Sequence, residues 1–222
     1  MLHLGSIRGT SIDVDFNFII LVIIFVTLNY DDTLGLHYAL LWIPVLFVSV
    51  LVHELAHAAM IGLFGFGASR IVLTGMGGVT FNSRRARPWQ DMLISVAGPL
   101  SSFALMYLCG LIYMRTQIGH TDKMLTALLP LMYAANFFWG MFNLIPLAPL
   151  DGGHATRDFF RMFLDEAKAF TIATWIGIAG GIGAVWYFLR SKDYVLVFFV
   201  GWFMYMAWQR WEDFRQSGIP GE

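Results

Sequence analysis

Three side chains able to act together in chemistry stand within five residues: His53, Glu54 and His57, in the stretch His53-Glu54-Leu55-Ala56-His57. In a helix, residues four apart lie about 40° apart around the axis, so His53 and His57 can offer ring nitrogens to one metal ion. Glu54, one residue on, is placed to reach a water on that metal. The flanks are unusual for such a group. Val45 to Val52 carries no charge, and neither does Ala58 to Phe66. Ionisable groups in an apolar helix are costly unless partnered, and one ion satisfies all three together. The bland alternative, two histidines hydrogen-bonded in a helical core, weighs less in a membrane helix than in a soluble one.

The rest of the chain must supply that helix with its surroundings. Of 222 residues, 58% are hydrophobic and 13% charged, and the mean hydropathy is +0.65. Soluble domains carry about a quarter charged residues, so the chain reads as one integral membrane domain spanning 1–222. A net charge of −1 leaves no basic surface for nucleic acid. The lone Cys109 lies in an apolar run and reads as a small buried residue.

The fold class is all-α and polytopic, with about six transmembrane helices and a small membrane-associated β-hairpin or sheet. Residues 1–14 alternate polar and apolar around Gly9 and predict one or two short strands; they do not look like a secretory signal. Apolar runs follow at 16–30, 38–64, 92–114, 124–150, 169–189 and 194–208. Between the second and third, residues 68–82 flank Gly75, Gly77 and Gly78 with β-branched residues and predict a hairpin or a looped sheet edge. Pro88 suits a helix start. Ala97-Gly98-Pro99-Leu100-Ser101-Ser102 reads as a close-packing patch. Pro146 and Pro149 must break the fourth run, which leaves Asp151 on extended backbone just beyond, with Gly152 and Gly153 serving the turn. Residues 155–168 form a short polar segment. In the fifth run Gly177, Gly180, Gly181 and Gly183 make a thin helix suited to tight packing.

Basic residues set the orientation. With both termini in the cytoplasm, Arg8, Arg70, Arg84, Arg85, Arg87, Arg157, Arg161, Lys168, Arg210 and Arg215 fall inside, and Arg115, Lys123, Arg190 and Lys192 outside. The second and fourth runs then both travel toward the cytoplasm. The histidine pair and Asp151 arrive at a similar depth, nearer the cytoplasmic face. Two histidines and a carboxylate, with water in the fourth position, make a catalytic zinc site and not a closed structural one.

His53-Glu54-Leu55-Ala56-His57, Ala97-Gly98-Pro99-Leu100 and Asn143 through Leu150-Asp151-Gly152 together resemble the site-2 protease family of intramembrane zinc metalloproteases, over about residues 45–155. The resemblance implies one zinc per chain on His53, His57 and Asp151, with Glu54 as catalytic base and Asn143 positioning or polarising the substrate carbonyl. It implies that Gly75, Gly77, Gly78 and Val79 belong to a membrane-associated β-region that engages substrate as an added strand, in a catalytic core of about 38–155. It implies single-span membrane proteins as substrates, cut within or next to their membrane segments, and a prokaryotic cell membrane as the setting. There is no PDZ-like insertion between the third and fourth runs and no CBS extension, so regulation by those modules is not expected. An unwound peptide could add to an open strand edge through backbone bonds, which leads to the same substrate class by another path; the plain alternative for Gly75–Gly78 is a tight turn.

Two other functions compete. A zinc transporter or channel needs ionisable residues along a path across the bilayer, whereas here they gather at one depth. A proteolytically inactive client-binding protein has no use for Glu54. His154 reads as a capping or interface residue, His3, His37 and His120 as solvated, and Arg84, Arg85 and Arg87 as headgroup anchors.

Overall fold

The computed structural model describes residues 1–32, 35–82, 86–115 and 123–217; Arg84, Arg85 and His120 lie outside the described residues. The chain packs as two compact units.

The first unit runs from the N-terminus through the hairpin expected at 68–82, and takes in Ala97–Gly140. It holds a four-stranded sheet in the order β1 (Leu2–Ile7), β2 (Thr10–Val14), β3 (Arg70–Thr74), β4 (Gly77–Phe81). The two segments expected as separate β pieces thus join. β1 and β2 are antiparallel, β2 and β3 parallel, β3 and β4 antiparallel. The β1–β2 turn is two residues, Arg8 and Gly9, both at positive φ (49° and 85°), the backbone that a right-twisted hairpin requires. A parallel β2–β3 pair needs a long crossover, supplied by α1 (Phe16–Leu28), α2 (Leu36–Leu40) and α3 (Trp42–Leu63).

α3 is 22 residues long, about 33 Å at about 1.5 Å per residue. It stops sharply at Gly65, whose φ is 75°. Phe66 N–H donates to Ile61 O at 3.1 Å and Gly65 N–H to Gly62 O at 3.0 Å, the paired bonds of a left-handed helix stop. Ile12, Val14, Ile71 and Leu73 of the sheet bury against Phe18 of α1 and Val50 and Ala58 of α3, which fixes β4 alongside the middle of α3. Near its start, α3 packs Val45 against Cys109 of α4 (Pro88–Arg115) and against Leu129 and Met132 of α5 (Lys123–Asn143). Asn136 is fully buried and donates to Ser49 Oγ at 2.9 Å, tying α5 to α3.

The second unit comprises Ala86–Val96, the first part of α4, and the chain from Met141 onward. The fourth helix ends at Asn143, before the two prolines, as their missing donors require. One expectation is corrected here. Asp151 is not on extended backbone. It is the first residue of a helix, α6 (Asp151–Arg161), and the extended residue is the one before it, Leu150. The segment read as merely polar, 155–168, therefore holds most of an amphipathic helix. α7 (Glu166–Ser191) and α8 (Tyr194–Ser217) follow, the latter running well beyond its expected end at 208. Gly177 and Gly181 of α7 face Pro146 and Met204, where a Cβ would collide; Gly183 faces open space. Leu147 and Leu150 bury with Val200, Phe203 and Ala207 of α8.

Among the described residues, three helical stretches are long and apolar enough to cross a membrane: Leu36–Leu63, Pro88–Arg115 and Glu166–Ser191. α1 is apolar but has 13 residues, about 20 Å against a core about 30 Å thick.

Candidate metal and catalytic site

The histidine motif lies in the half of α3 that follows Val50, and its polar groups are enclosed. His53, Glu54 and His57 are exposed by only 3%, 4% and 7%. The rings of His53 and His57 stand edge to face with centroids 4.9 Å apart, and a ring nitrogen of each lies within 4.8 Å of the other's. This is the one-face arrangement that the four-residue spacing predicts.

What lies opposite was misread. Gly98 of α4, assigned to packing, faces the two imidazoles. A Cβ there would lie 2.5 Å from His53 Nε2 and closer still to His57 Nε2. Both Nε2 atoms thus press on the bare backbone of Gly98, which lets the two ring nitrogens come together. This is how donors for one cation would be arranged, since zinc sits about 2.0–2.1 Å from imidazole nitrogen. Two imidazoles whose ring nitrogens lie this close together fit a zinc-type ion. Ser102, one helical turn beyond Gly98 and fully buried, fixes the tautomer. Its hydroxyl donates to Gly98 O at 3.4 Å and lies 3.1 Å from His53 Nδ1. With that proton committed, the hydroxyl accepts from Nδ1–H, and His53 Nε2 keeps its lone pair for the ion.

Glu54 is held from the sheet. Thr80 Oγ1 donates to Glu54 Oε2 at 2.7 Å and also lies 3.3 Å from Glu54 O. Side chains alternate along a strand, so Gly78, two residues earlier, faces the same carboxylate. A Cβ on Gly78 would come within 2.5 Å of Glu54 Cδ and 2.6 Å of Oε1. Gly78 therefore has a definite task, admitting Glu54. Gly77 meets Trp139 and Gly75 meets the backbone of Asn17, so these glycines serve close approach as well as the turn. Val79 is 42% exposed on the outer strand.

In the second unit, Asp151 occupies the first turn of α6, where the helix's positive end favours a carboxylate. Gly152 and Gly153 are not turn residues. They are helical, and each presses against the preceding loop: a Cβ on Gly152 would lie 2.5 Å from Leu144 C, and one on Gly153 2.8 Å from Ala148 Cα. That contact seats Asp151 firmly on the loop that follows Asn143, the last residue of α5. His154 is a neutral imidazole held below its usual pKa, by burial first and then by Arg157. Residues that sequence reasoning passed over are Gly98, Ser102 and Thr80. The signals for the first two were the Ala97-Gly98-Pro99-Leu100 motif of the family resemblance and the spacing of Gly98 and Ser102, one turn apart on one face; the signal for Thr80 was its place two residues from Gly78.

A helix bearing a histidine pair and an acid, set among helices able to cross a membrane and flanked by a small sheet, defines a membrane metallopeptidase-like class. The Peptidase M50B-like family model matches residues 18–148, and the chain belongs to that family. It is 29% identical over 206 residues to "Zinc metalloprotease MJ0392" of Methanocaldococcus jannaschii, covering 93% of this chain and 59% of that protein. It is 31% identical over 127 residues to "Stage IV sporulation protein FB" of Bacillus subtilis, covering 56% and 42%. The solved site-2 protease from Methanocaldococcus jannaschii superposes with a TM-score of 0.65 at 25% identity, covering 95% of this chain and 94% of that one. The chain spans about three fifths of the length of the first curated relatives it matches, 59% in each case.

Proposed function

We propose that this chain is a zinc-dependent endopeptidase that cuts peptide bonds within or next to the transmembrane segments of other membrane proteins. The observation that carries the proposal is the approach of His53 Nε2 and His57 Nε2 to each other over the bare backbone of Gly98, with the carboxylate of Glu54, on the same helix as the histidines, held in place by Thr80 of β4. Asp151 is proposed as the third ligand. The donor chemistry supports this, two imidazoles and a carboxylate being a group able to hold one ion, and so does its firm seat at the start of α6. Zinc, when bound, supplies a Lewis acid that polarises a carbonyl and acidifies water. The chain's own residues then have separate tasks. Glu54 takes the proton from the attacking water and returns it to the leaving amine. Asn143 donates its amide N–H to the substrate carbonyl oxygen as negative charge grows there. The free edge of β4, around Gly75, Gly77, Gly78 and Val79, receives the unwound substrate as an added strand, since among the described residues β4 pairs only with β3. The proposed setting is a single domain over 1–222 with about six spans, the flanking helices at 16–30, 169–189 and 194–208 enclosing a core of about 38–155. Both termini and the site lie toward the cytoplasm, and single-span proteins are the substrates.

Glu54→Gln tests the reading. The purified variant should hold as much zinc as the parent yet fail to cut a membrane-spanning test peptide in detergent, and a chelator should abolish the parent's cleavage. Cleavage that survives E54Q or chelation would refute it. Zinc flux into proteoliposomes that persists in E54Q would favour a transporter instead.

A further inference from the structure

Away from the histidine helix, the second unit contains a cleft between α6, α7 and α8 that plays no part in the chemistry above. It is small, about 30 Å³, and is lined by Leu147, Phe170 and Ala173 on its apolar side and by His154, Arg157 and Arg210 on its polar side. Two guanidinium groups, from two different helices, therefore share one small cleft with a neutral imidazole. Neither guanidinium is fully neutralised from within. Arg157 engages Asp158 through Nε alone, at 3.4 Å, and Asp158 is shared with Arg161, which binds it more closely at 2.9 Å. Among the described residues no carboxylate lies within 4.0 Å of the Arg210 guanidinium, and Arg157's terminal nitrogens bond nothing. Of the charges that act on His154, Arg157 and Arg210 favour its neutral form, and the carboxylates of Asp151 and Asp158 oppose them.

We propose that this cleft binds a phosphate group, held by the forked donors of Arg157 and Arg210 against the apolar wall of α7. Guanidinium forks match phosphate oxygens in geometry as well as charge, which an ammonium does not. The depth of the cleft points to where such a group comes from. Arg210 lies between Trp208 and Trp211, and these two rings gather with Trp175 at centroid distances of 5.9, 5.4 and 5.3 Å. Tryptophans cluster at the headgroup level of a bilayer, and basic pockets between membrane helices are fitted to anionic headgroups. The same donors would also accept free phosphate from the aqueous side. Since α6 begins with Asp151, an occupant would brace the helix that carries that acid; occupancy itself does not depend on proteolysis.

The test uses the full chain in neutral detergent and follows binding by isothermal titration calorimetry. Short-chain phosphatidylglycerol should produce a saturable change. Arg210→Gln should weaken it about tenfold or more, and Lys168→Gln, which removes a basic residue outside this cleft, should leave it unaltered. Inorganic phosphate distinguishes the source. Competition at millimolar concentration identifies free phosphate as an occupant, and failure to compete while the lipid binds identifies the headgroup; either result supports a phosphate site. Should R210Q fail to fold, Arg210→Lys keeps the charge and loses the fork, and several-fold weaker binding is expected. Equal binding by parent and Arg210 variant, or no saturable response to lipid or phosphate, would overturn the proposal.

Discussion

Gly98→Ala reverses the usual rule for a helical glycine. Within a helix, replacing glycine by alanine ordinarily stabilises by about 0.5–1 kcal/mol, because the unfolded chain loses freedom. Gly183 of α7, with nothing within 4 Å of where its Cβ would lie, should follow that rule. Gly98 should not. Its Cβ would lie 2.5 Å from His53 Nε2 and nearer to His57 Nε2, far inside van der Waals contact, so at least one ring must swing away. Overpacking of this kind costs about 1–3 kcal/mol, against the propensity gain, so the net loss of folding stability is about 0–2.5 kcal/mol, less than the roughly 5–15 kcal/mol of a typical domain. The metal loses much more. Disturbing only an outer partner of a ligand costs about 10–100-fold in affinity, and G98A displaces a ligand itself, so zinc affinity should fall by at least about 100-fold. Metal content of the purified protein by inductively coupled plasma mass spectrometry, with cleavage of a membrane-spanning peptide alongside, reads the effect; the melting temperature of G98A beside that of Gly183→Ala shows whether the fold survives. A G98A protein that holds one zinc per chain and cuts at the parent rate would refute the convergence of the two imidazoles on Gly98.

Three further outcomes follow from the same contacts. Thr80→Val removes the donor to Glu54 Oε2 while keeping the strand, so the cleavage rate should fall about 10–100-fold with zinc content unchanged, as expected for a misplaced acid–base group; loss of metal instead would place Thr80 in a different role. Ser102→Ala releases His53 Nδ1 and should weaken zinc about 10–100-fold in a competition titration against a chelator. Acid should loosen the sheet. The hydrogen bond from His3, and after it that from Arg70, holds the Asp13 carboxyl below its ordinary value, so this contribution to stability is present above about pH 4 and is lost as the pH falls through the depressed pKa. Hydrogen exchange of the β2 and β3 amides should rise on going from pH 5 to pH 3, corrected for intrinsic rates, and Asp13→Asn should remove that dependence.

The helices were readable because charge-free runs have few other uses, and each main run became one. The boundaries went astray where periodicity is silent. Residues 155–168 read only as a short polar segment, yet most of α6 forms there with Asp158 buried against Arg157 and Arg161. A helix of alternating charges pairs internally, and hydropathy alone does not see the pairing. The break at Pro146 and Pro149 was correctly placed, but the chain resumes helix one residue after Leu150, because a helix tolerates an extended residue immediately before its first turn. In the sheet, each hairpin was visible locally. The β2–β3 pairing joins residues nearly sixty positions apart, and no local pattern encodes it.

The site was legible where it consists of side chains and illegible where it consists of their absence. His53, Glu54 and His57 announce themselves by type and spacing. Gly98, Gly78, Gly152 and Gly153 each admit a neighbour that a single methyl would exclude, and a glycine in a sequence looks the same whether it serves a turn, a thin helix or a cradle. Backbone angles separate these uses. Gly9 and Gly65 take positive φ and make turns, whereas Gly98, Gly152 and Gly153 do not and are required by what stands opposite. The same distinction bears on function. A turn glycine can move along the chain with its loop, but one that faces two imidazoles or a carboxylate is fixed to the chemistry, and the two that do so, Gly98 and Gly78, have ordinary helical and strand backbone.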